Sequence, residues 1–151
     1  SDVAVAIVGG GPQLEAARTK AENSPNIIFF GERRDLDLLL SAADVFFMPS
    51  RWEGIPISVL LALASGVPVV SSDVGGLPEV VVDGLTGFTA NCDDVPALLQ
   101  GLQTVLFSGG ATEQMGRNAR GLVAETYRME KMIQEHELLY QQTFADELAA
   151  P

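Results

Sequence analysis

The sequence predicts an α/β domain built on a doubly wound parallel sheet. Short apolar runs alternate with helical stretches, the first three runs are closed by glycine or proline, and no internal repeat or low-complexity tract breaks the alternation. Continuous apolar runs too short for a helix suit strands buried on both faces.

The first run, Val3 to Val8, reads as a buried parallel strand stopped by Gly9, Gly10, Gly11 and Pro12. Gln13 to Glu22 reads as a helix, with Leu14, Ala17 and Ala21 as its apolar stripe. Ile27 to Phe30 is a second strand closed by Gly31, Asp35 to Ala43 a short helix with Leu36, Leu39 and Leu40 on one side, and Val45 to Met48 a third strand stopped by Pro49. A nearly all-apolar helix from Pro56 to Ser65 implies burial on more than one face, and Gly66 ends it as a left-handed residue. Val67 to Val70 is a fourth strand, followed by Ser71, Ser72, Asp73 and a Gly75–Gly76 loop. Val80 to Val82 forms a short helix or strand, and Gly87 to Thr89 a last strand. The remainder is helical: one helix capped by Asp93 or Asp94 and running to Leu106, one from Thr112 to about Tyr127, and one from Met129 to roughly Phe144. On the last, Met132, Ile133, His136, Leu139 and Tyr140 share a face.

This order is Rossmann-like, with right-handed crossovers. Ligands of such sheets bind beyond the carboxyl ends of the strands, so the loops at Gly9, Gly31, Ser50 to Ile55 and Ser71 to Gly76 are expected on one edge.

With 151 residues, 47% of them hydrophobic, the chain has the size of one domain with a real core. A net charge of −11 argues against nucleic acid and anionic membranes as partners, although backbone amides can still hold a nucleotide. One cysteine, Cys92, excludes an internal disulfide and fits a reducing compartment, so the cytoplasm is the expected location. No apolar run approaches the roughly 18 residues of a membrane helix.

The chemistry concentrates between Pro49 and Gly87. Glu53 and Gly54 stand in a tight turn after a strand, and Pro56 takes the first helical position, where its missing N–H costs nothing. The free amides and dipole of such a helix start favour a phosphate, though the same pattern also fits a plain strand, turn and buried helix.

Four ordered motifs carry a family resemblance: PS followed by EGIP (Pro49, Ser50, Glu53 to Pro56), ALASGVPVV (Ala62 to Val70), GGLPEVV (Gly75 to Val81) and DGLTGF (Asp83 to Phe88). Weaker matches are IVGGGP, FFGERRDL, SAADVFFMPS and MGRNAR (Met115 to Arg120). Nearly the whole chain resembles the C-terminal, donor-binding half of retaining glycosyltransferases of the GT-B fold, the glycosyl transferases group 1 of family-four type. The resemblance implies a single nucleotide-sugar-binding domain over residues 1–151. The N-terminal acceptor domain, and a first strand-helix unit carrying an arginine and a lysine for the diphosphate, would lie outside it, and the chain alone would be inactive. It implies transfer of a sugar from a nucleotide-diphosphate sugar with retained configuration, without metal or cofactor. Glu53 would be the catalytic residue, contacting the donor sugar or lying close to it, and the amides of Gly54, Ile55 and Ile57 would face the diphosphate. Gly9, Gly11 and Gly31 would shape donor-side turns, Arg33 would approach base or phosphate, and Gly75, Gly76 and Glu79 would shape a loop. Eight positions after Glu53 the family carries a second glutamate that bonds the ribose hydroxyls, and here that donor-side position is Leu61. Alternatives are an inactive nucleotide-sugar-binding module, or an epimerase or phosphorylase of the same architecture.

Other candidates have plainer readings. A dinucleotide GxGxxG would need glycine where Leu14 stands. Arg33 and Arg34 serve either the ligand or the surface, and Arg51 and Trp52 face either the cleft or, respectively, solvent and the core. His136 lacks a serine or cysteine partner, and Cys92 lacks a second soft ligand for zinc.

Overall fold

A computed structural model describes residues 3–149, with side chains described as far as Phe144. The elements are β1 (Val5–Val8), α1 (Leu14–Lys20), β2 (Ile27–Gly31), α2 (Leu36–Ser41), β3 (Phe46–Met48), α3 (Ile57–Ala64), β4 (Val69–Ser72), α4 (Leu77–Val80), β5 (Gly87–Ala90), α5 (Val95–Phe107), α6 (Gly110–Thr126) and α7 (Met129–Ala149). They form two compact units divided in sequence between Leu38 and Leu39, inside α2. Instead of the one sheet expected, the strands pair as two parallel ladders, β1-β2 and β3-β4-β5.

In the first unit Val5 lies opposite Ile27 and Val8 opposite Gly31, which leaves Phe30 as an extra residue on β2. Leu14, Ala17 and Ala21 are half-buried, as the stripe predicted, and the Arg18 guanidinium lies 5.1 Å from the centroid of the Phe29 ring. The expectation of a buried first strand is corrected: Val5 and Val8 are exposed, as are Ile28 and Phe30. Two strands within a unit of this size do not cover both their faces.

The second unit is doubly wound around β4, whose four residues are all buried. β4 pairs with β3 on one side (Phe46 opposite Val69, Met48 opposite Ser71) and with β5 on the other (Val69 opposite Gly87, Ser72 opposite Ala90). One core cluster contains Val59, Ala62 and Leu63 of α3, Val69, and Leu77 and Val80 of α4. The other contains Val70, Leu98 and Val105 of α5, and Met115. Alternate residues of one strand thus feed two cores, as the pleat requires.

Several boundaries move for identifiable reasons. β4 starts at Val69 rather than Val67, because the Val67 amide still closes α3, donating to Ala62 O at 2.9 Å, while Gly66 (φ 77°) donates to Leu63 O at 2.9 Å. That pair of bonds around a left-handed glycine is a Schellman motif. Pro56 precedes α3 instead of opening it: its ψ of 132° is extended, and its carbonyl accepts from Val59 N at 3.1 Å. Burial of α3 on several faces is also corrected. Val59, Ala62 and Leu63 are buried, while Ile57 and Leu61 are exposed. The Val80–Val82 segment is the end of α4 followed by a bridge between Asp83 and Gly87, and Asp94 is the residue that caps α5, accepting from Ala97 N at 3.0 Å. α6 begins at Gly110, two residues before the predicted start, after a left-handed Gly109.

The MGRNAR motif has a clear structural role. A Cβ on Gly116 would collide with the Gly66 carbonyl, so α6 approaches the end of α3 at backbone distance. Arg120 then donates from Nη2 to Ser65 O at 2.8 Å, placing a cation at the negative end of α3, and Asn118 donates to Leu85 O at 3.0 Å. The predicted face of α7 (Met132, Ile133, His136, Leu139 and Tyr140) is exposed. His136 donates from Nδ1 to Met132 O at 2.8 Å and meets Tyr140 edge-on, with ring centroids 6.4 Å apart.

Thr86 closes the second unit. Its fully buried Oγ1 donates to Val80 O at 3.0 Å and accepts from Val82 N at 2.9 Å, tying the end of α4 to the strand that follows. Thr86→Val keeps the shape and strands both partners. It is expected to cost about 1–3 kcal/mol, read as a lower urea midpoint at unchanged slope.

Candidate functional site

Two loops of the second unit, one after β3 and one after β4, make the site. They leave the carboxyl ends of neighbouring parallel strands, which brings Ser50–Ile55 alongside Ser72–Gly76. Three contacts lock them. The Ser72 hydroxyl donates to Ser50 O, and the Gly76 amide donates to Gly54 O at 3.1 Å. At Gly75 (φ 55°) a Cβ would collide with the Glu53 carbonyl, and at Gly76 it would lie 2.5 Å from Ile55 Cγ1 and 3.0 Å from Gly54 O. Gly75 is there because backbone meets backbone in a left-handed conformation, and Gly76 because the Ile55 side chain and the Gly54 carbonyl leave no room for a Cβ.

Glu53 therefore sits in a turn fixed from behind, with its residue half-buried. Among the described residues, the amides of Gly54, Ile55 and Ile57 have no intramolecular hydrogen-bond partner, whereas the Val59 and Leu60 amides both donate to Pro56 O. The site thus offers a carboxylate followed closely by unpaired donors at a helix start, a pairing suited to an anionic, hydroxyl-rich ligand. Leu61 lies one turn beyond Ile57 on the exposed side of α3, 41% exposed. Glu79 stands exposed in α4, where its amide donates to Gly76 O at 3.2 Å. Nearby, burial first and the Glu79 charge second raise the Tyr127 phenol above its ordinary value.

Gly9, Gly11, Gly31 and Arg33 belong to the first unit. Gly9 and Gly11 have φ of 127° and 128° and Gly31 of 66°, and the Gly9 amide donates to Gly31 O at 2.7 Å, so the turns after β1 and β2 are tied together. The side chain of Glu32 fills the space beside Gly10. Arg33 is held by Asp35, with Nε to Oδ1 at 2.8 Å, and its guanidinium also lies 6.0 Å from the Phe30 ring centroid. Within the second unit Arg51 pairs with Asp93 at 3.1 Å, and Trp52 is exposed rather than packed. The roles of Ser72, Thr86 and Arg120 are absent from the sequence reading. Ser72 was visible only as a strand-end residue and Arg120 only as part of a motif, because their partners lie far along the chain.

Comparison with known proteins is consistent across sequence and structure. Residues 1–108 match the family model described as glycosyl transferases group 1. The chain is 28% identical over 149 residues to N-acetyl-alpha-D-glucosaminyl L-malate synthase of Bacillus anthracis, covering 97% of this chain and 39% of that protein. It is 37% identical over 127 residues to a GDP-mannose-dependent phosphatidylinositol monomannoside mannosyltransferase of Mycolicibacterium smegmatis, covering 76% and 33%. The structure of Anabaena HepE in complex with UDP and glucose superposes with a TM-score of 0.85 at 21% identity, covering 94% of this chain and 41% of that one. The chain spans less than half the length of each of these proteins.

Gly75→Ala is expected to cost at least about 2 kcal/mol, since a left-handed non-glycine residue alone costs roughly 1–3 kcal/mol and the Glu53 carbonyl must also move. Gly84→Ala is the control, being left-handed (φ 71°) but with open space around it. Only Gly75→Ala should shift the amide resonances of residues 53–55.

The Arg33 hydrogen bond holds the Asp35 carboxyl below its ordinary 3.8, with help from the Asp35 backbone amide and the Arg33 charge. The pair's contribution is present above that ordinary value and fades as pH falls through the lowered one. Carbon-detected NMR titration should place the Asp35 midpoint below 3.8, and Arg33→Gln should move it upward.

Proposed function

This chain belongs to the glycosyl transferases group 1 family, and from that premise we propose that it is the donor-binding, C-terminal part of an enzyme that transfers a sugar from a nucleotide-diphosphate sugar to an acceptor with retained anomeric configuration. The acceptor would be held by a preceding domain. The observation that carries the reading is the interlock of the Glu53 turn with Gly75 and Gly76, which fixes the backbone that carries the Glu53 carboxylate and the unpaired amides after it. In this reading Glu53 contacts the donor sugar, and the amides of Gly54, Ile55 and Ile57 receive the diphosphate as charge develops on it. Donors aimed at a developing anion are worth about 3–4 kcal/mol each. The UDP named in the HepE structure and the GDP-mannose named for the mycobacterial relative support a nucleotide donor of this class. Neither metal nor cofactor enters the reading.

A second reading, a nucleotide-sugar-binding module without turnover, is favoured by one observation. Leu61 presents an apolar side chain on the exposed face of α3, eight residues after Glu53. There a carboxylate would accept hydrogen bonds from ribose hydroxyls, and leucine accepts none.

Ligand-detected NMR with UDP, GDP and ADP on the 151-residue chain tests both. Binding of at least one diphosphate, unchanged by EDTA, is the expected result, and no binding would overturn the donor-site assignment. Leu61→Glu is expected to tighten binding by about tenfold, equivalent to one charge-assisted hydrogen bond, and only for nucleotides with intact ribose hydroxyls. In the full-length enzyme Glu53→Gln should lower kcat by about 10²-fold or more while the nucleotide affinity of the domain is kept.

A further inference from the structure

Among the described residues Trp52 is the most solvent-exposed of the large apolar ones, at 82%, and it is the only tryptophan of the chain. It directly precedes Glu53. A single exposed apolar side chain on a mobile surface needs no explanation, but this one stands on a loop fixed on both sides. Before it, Arg51 is paired with Asp93 at 3.1 Å and Ser50 O accepts from the Ser72 hydroxyl. After it, the Glu53–Gly54 backbone abuts Gly75 and Gly76. The loop therefore holds the indole out in water instead of letting it fold onto the core. Ile55 and Ile57 are exposed in the same stretch, so three apolar residues accompany the half-buried Glu53.

Apolar surface beside a hydrogen-bond acceptor matches a ligand that is itself two-faced. A pyranose ring is such a ligand, with axial C–H groups on one face and hydroxyl donors around its rim. Tryptophan supplies a large rigid surface for the C–H face at low entropic cost, and a carboxylate accepts from the hydroxyls. We infer that Trp52 is a stacking platform for a pyranose ring whose hydroxyls donate to Glu53. This rests on the glycosyl-transfer reading for the identity of the ring, which is either the sugar of the donor or the sugar of a glycoside acceptor. No covalent step is assigned to Trp52; it positions the ring.

Because Trp52 is the only indole, its fluorescence reports on the site without labelling. The 151-residue chain is titrated with UDP, GDP, UDP-glucose, GDP-mannose, methyl glucoside and methyl mannoside, and the sugar C–H signals are followed by proton NMR in parallel. Upfield ring-current shifts of sugar C–H protons with a blue shift of emission are expected for at least one ring-bearing ligand. A response to the nucleotide sugars alone assigns the platform to the donor ring, and a response to a free methyl glycoside assigns it to the acceptor ring. Trp52→Ala should remove the ring-current shifts and weaken sugar binding by about tenfold, with UDP and GDP affinity unchanged. Trp52→Phe should restore part of both. Trp52 contributes little to the core, so circular dichroism and the urea midpoint of both variants should match wild type. Diphosphates that bind while every sugar leaves the indole unaffected overturn the platform and spare the donor site. Sugars that shift the indole without any diphosphate binding overturn the donor site and spare the platform. Silence from every ligand overturns both.

Discussion

The second unit depends on backbone meeting backbone without a side chain between. Gly75 and Gly76 seat the loop after β4 against the Glu53 turn, Gly87 brings β5 so near β4 that a Cβ would strike the Val69 carbonyl, and Gly116 lets α6 touch the end of α3. At Gly75, Gly87 and Gly116 the alternative is a displaced strand or helix, because the obstacle is a carbonyl, which yields far less than a flexible side chain. The glycines of GGLPE, DGLTG and MGRNAR therefore fix distances between elements, the one behind Glu53 among them.

The two ends of α3 are treated oppositely. At its carboxyl end the Schellman bonds and the Arg120 guanidinium satisfy carbonyls and meet the negative end of the dipole. At its amino end Pro56 accepts two amides, and the amides before them stay unpaired among the described residues. A helix anchored so fully at one end has little freedom to shift when something binds at the other. That preorganisation is what electrostatic stabilisation of a leaving group needs, because donors already in place cost no rearrangement as charge develops.

Much of this was legible in the chain. Short apolar runs marked the first four strands, the first three of them closed by glycine or proline, and the order of strands and helices follows from them, since buried parallel strands require continuous apolar runs. The EGIP and GGLPE spacing likewise located the two loops of the candidate site. Burial was less legible. α3 is apolar on nearly every side, so periodicity does not reveal that Ile57 and Leu61 stay exposed while Val59, Ala62 and Leu63 are buried. Exposure of Trp52 was hidden for a similar reason, since composition gives an indole to the core. The bonds of Ser72, Arg120 and Asn118 span 22, 55 and 33 residues, and no local pattern encodes partners so distant.

Charge brings these strands of reasoning together. With nine lysines and arginines against twenty aspartates and glutamates, the chain has few cations to spare for an anion. Arg33 pairs with Asp35, Arg51 with Asp93, and Arg120 with the end of α3. In the second unit the unpaired donors nearest Glu53 are accordingly main-chain amides, which carry partial positive charge without a counter-ion and are fixed by the glycine contacts behind them. An acidic protein can present a site for an anion in this way, because amide potential is set by backbone geometry and acts at hydrogen-bond range, where net charge screened by salt counts for little.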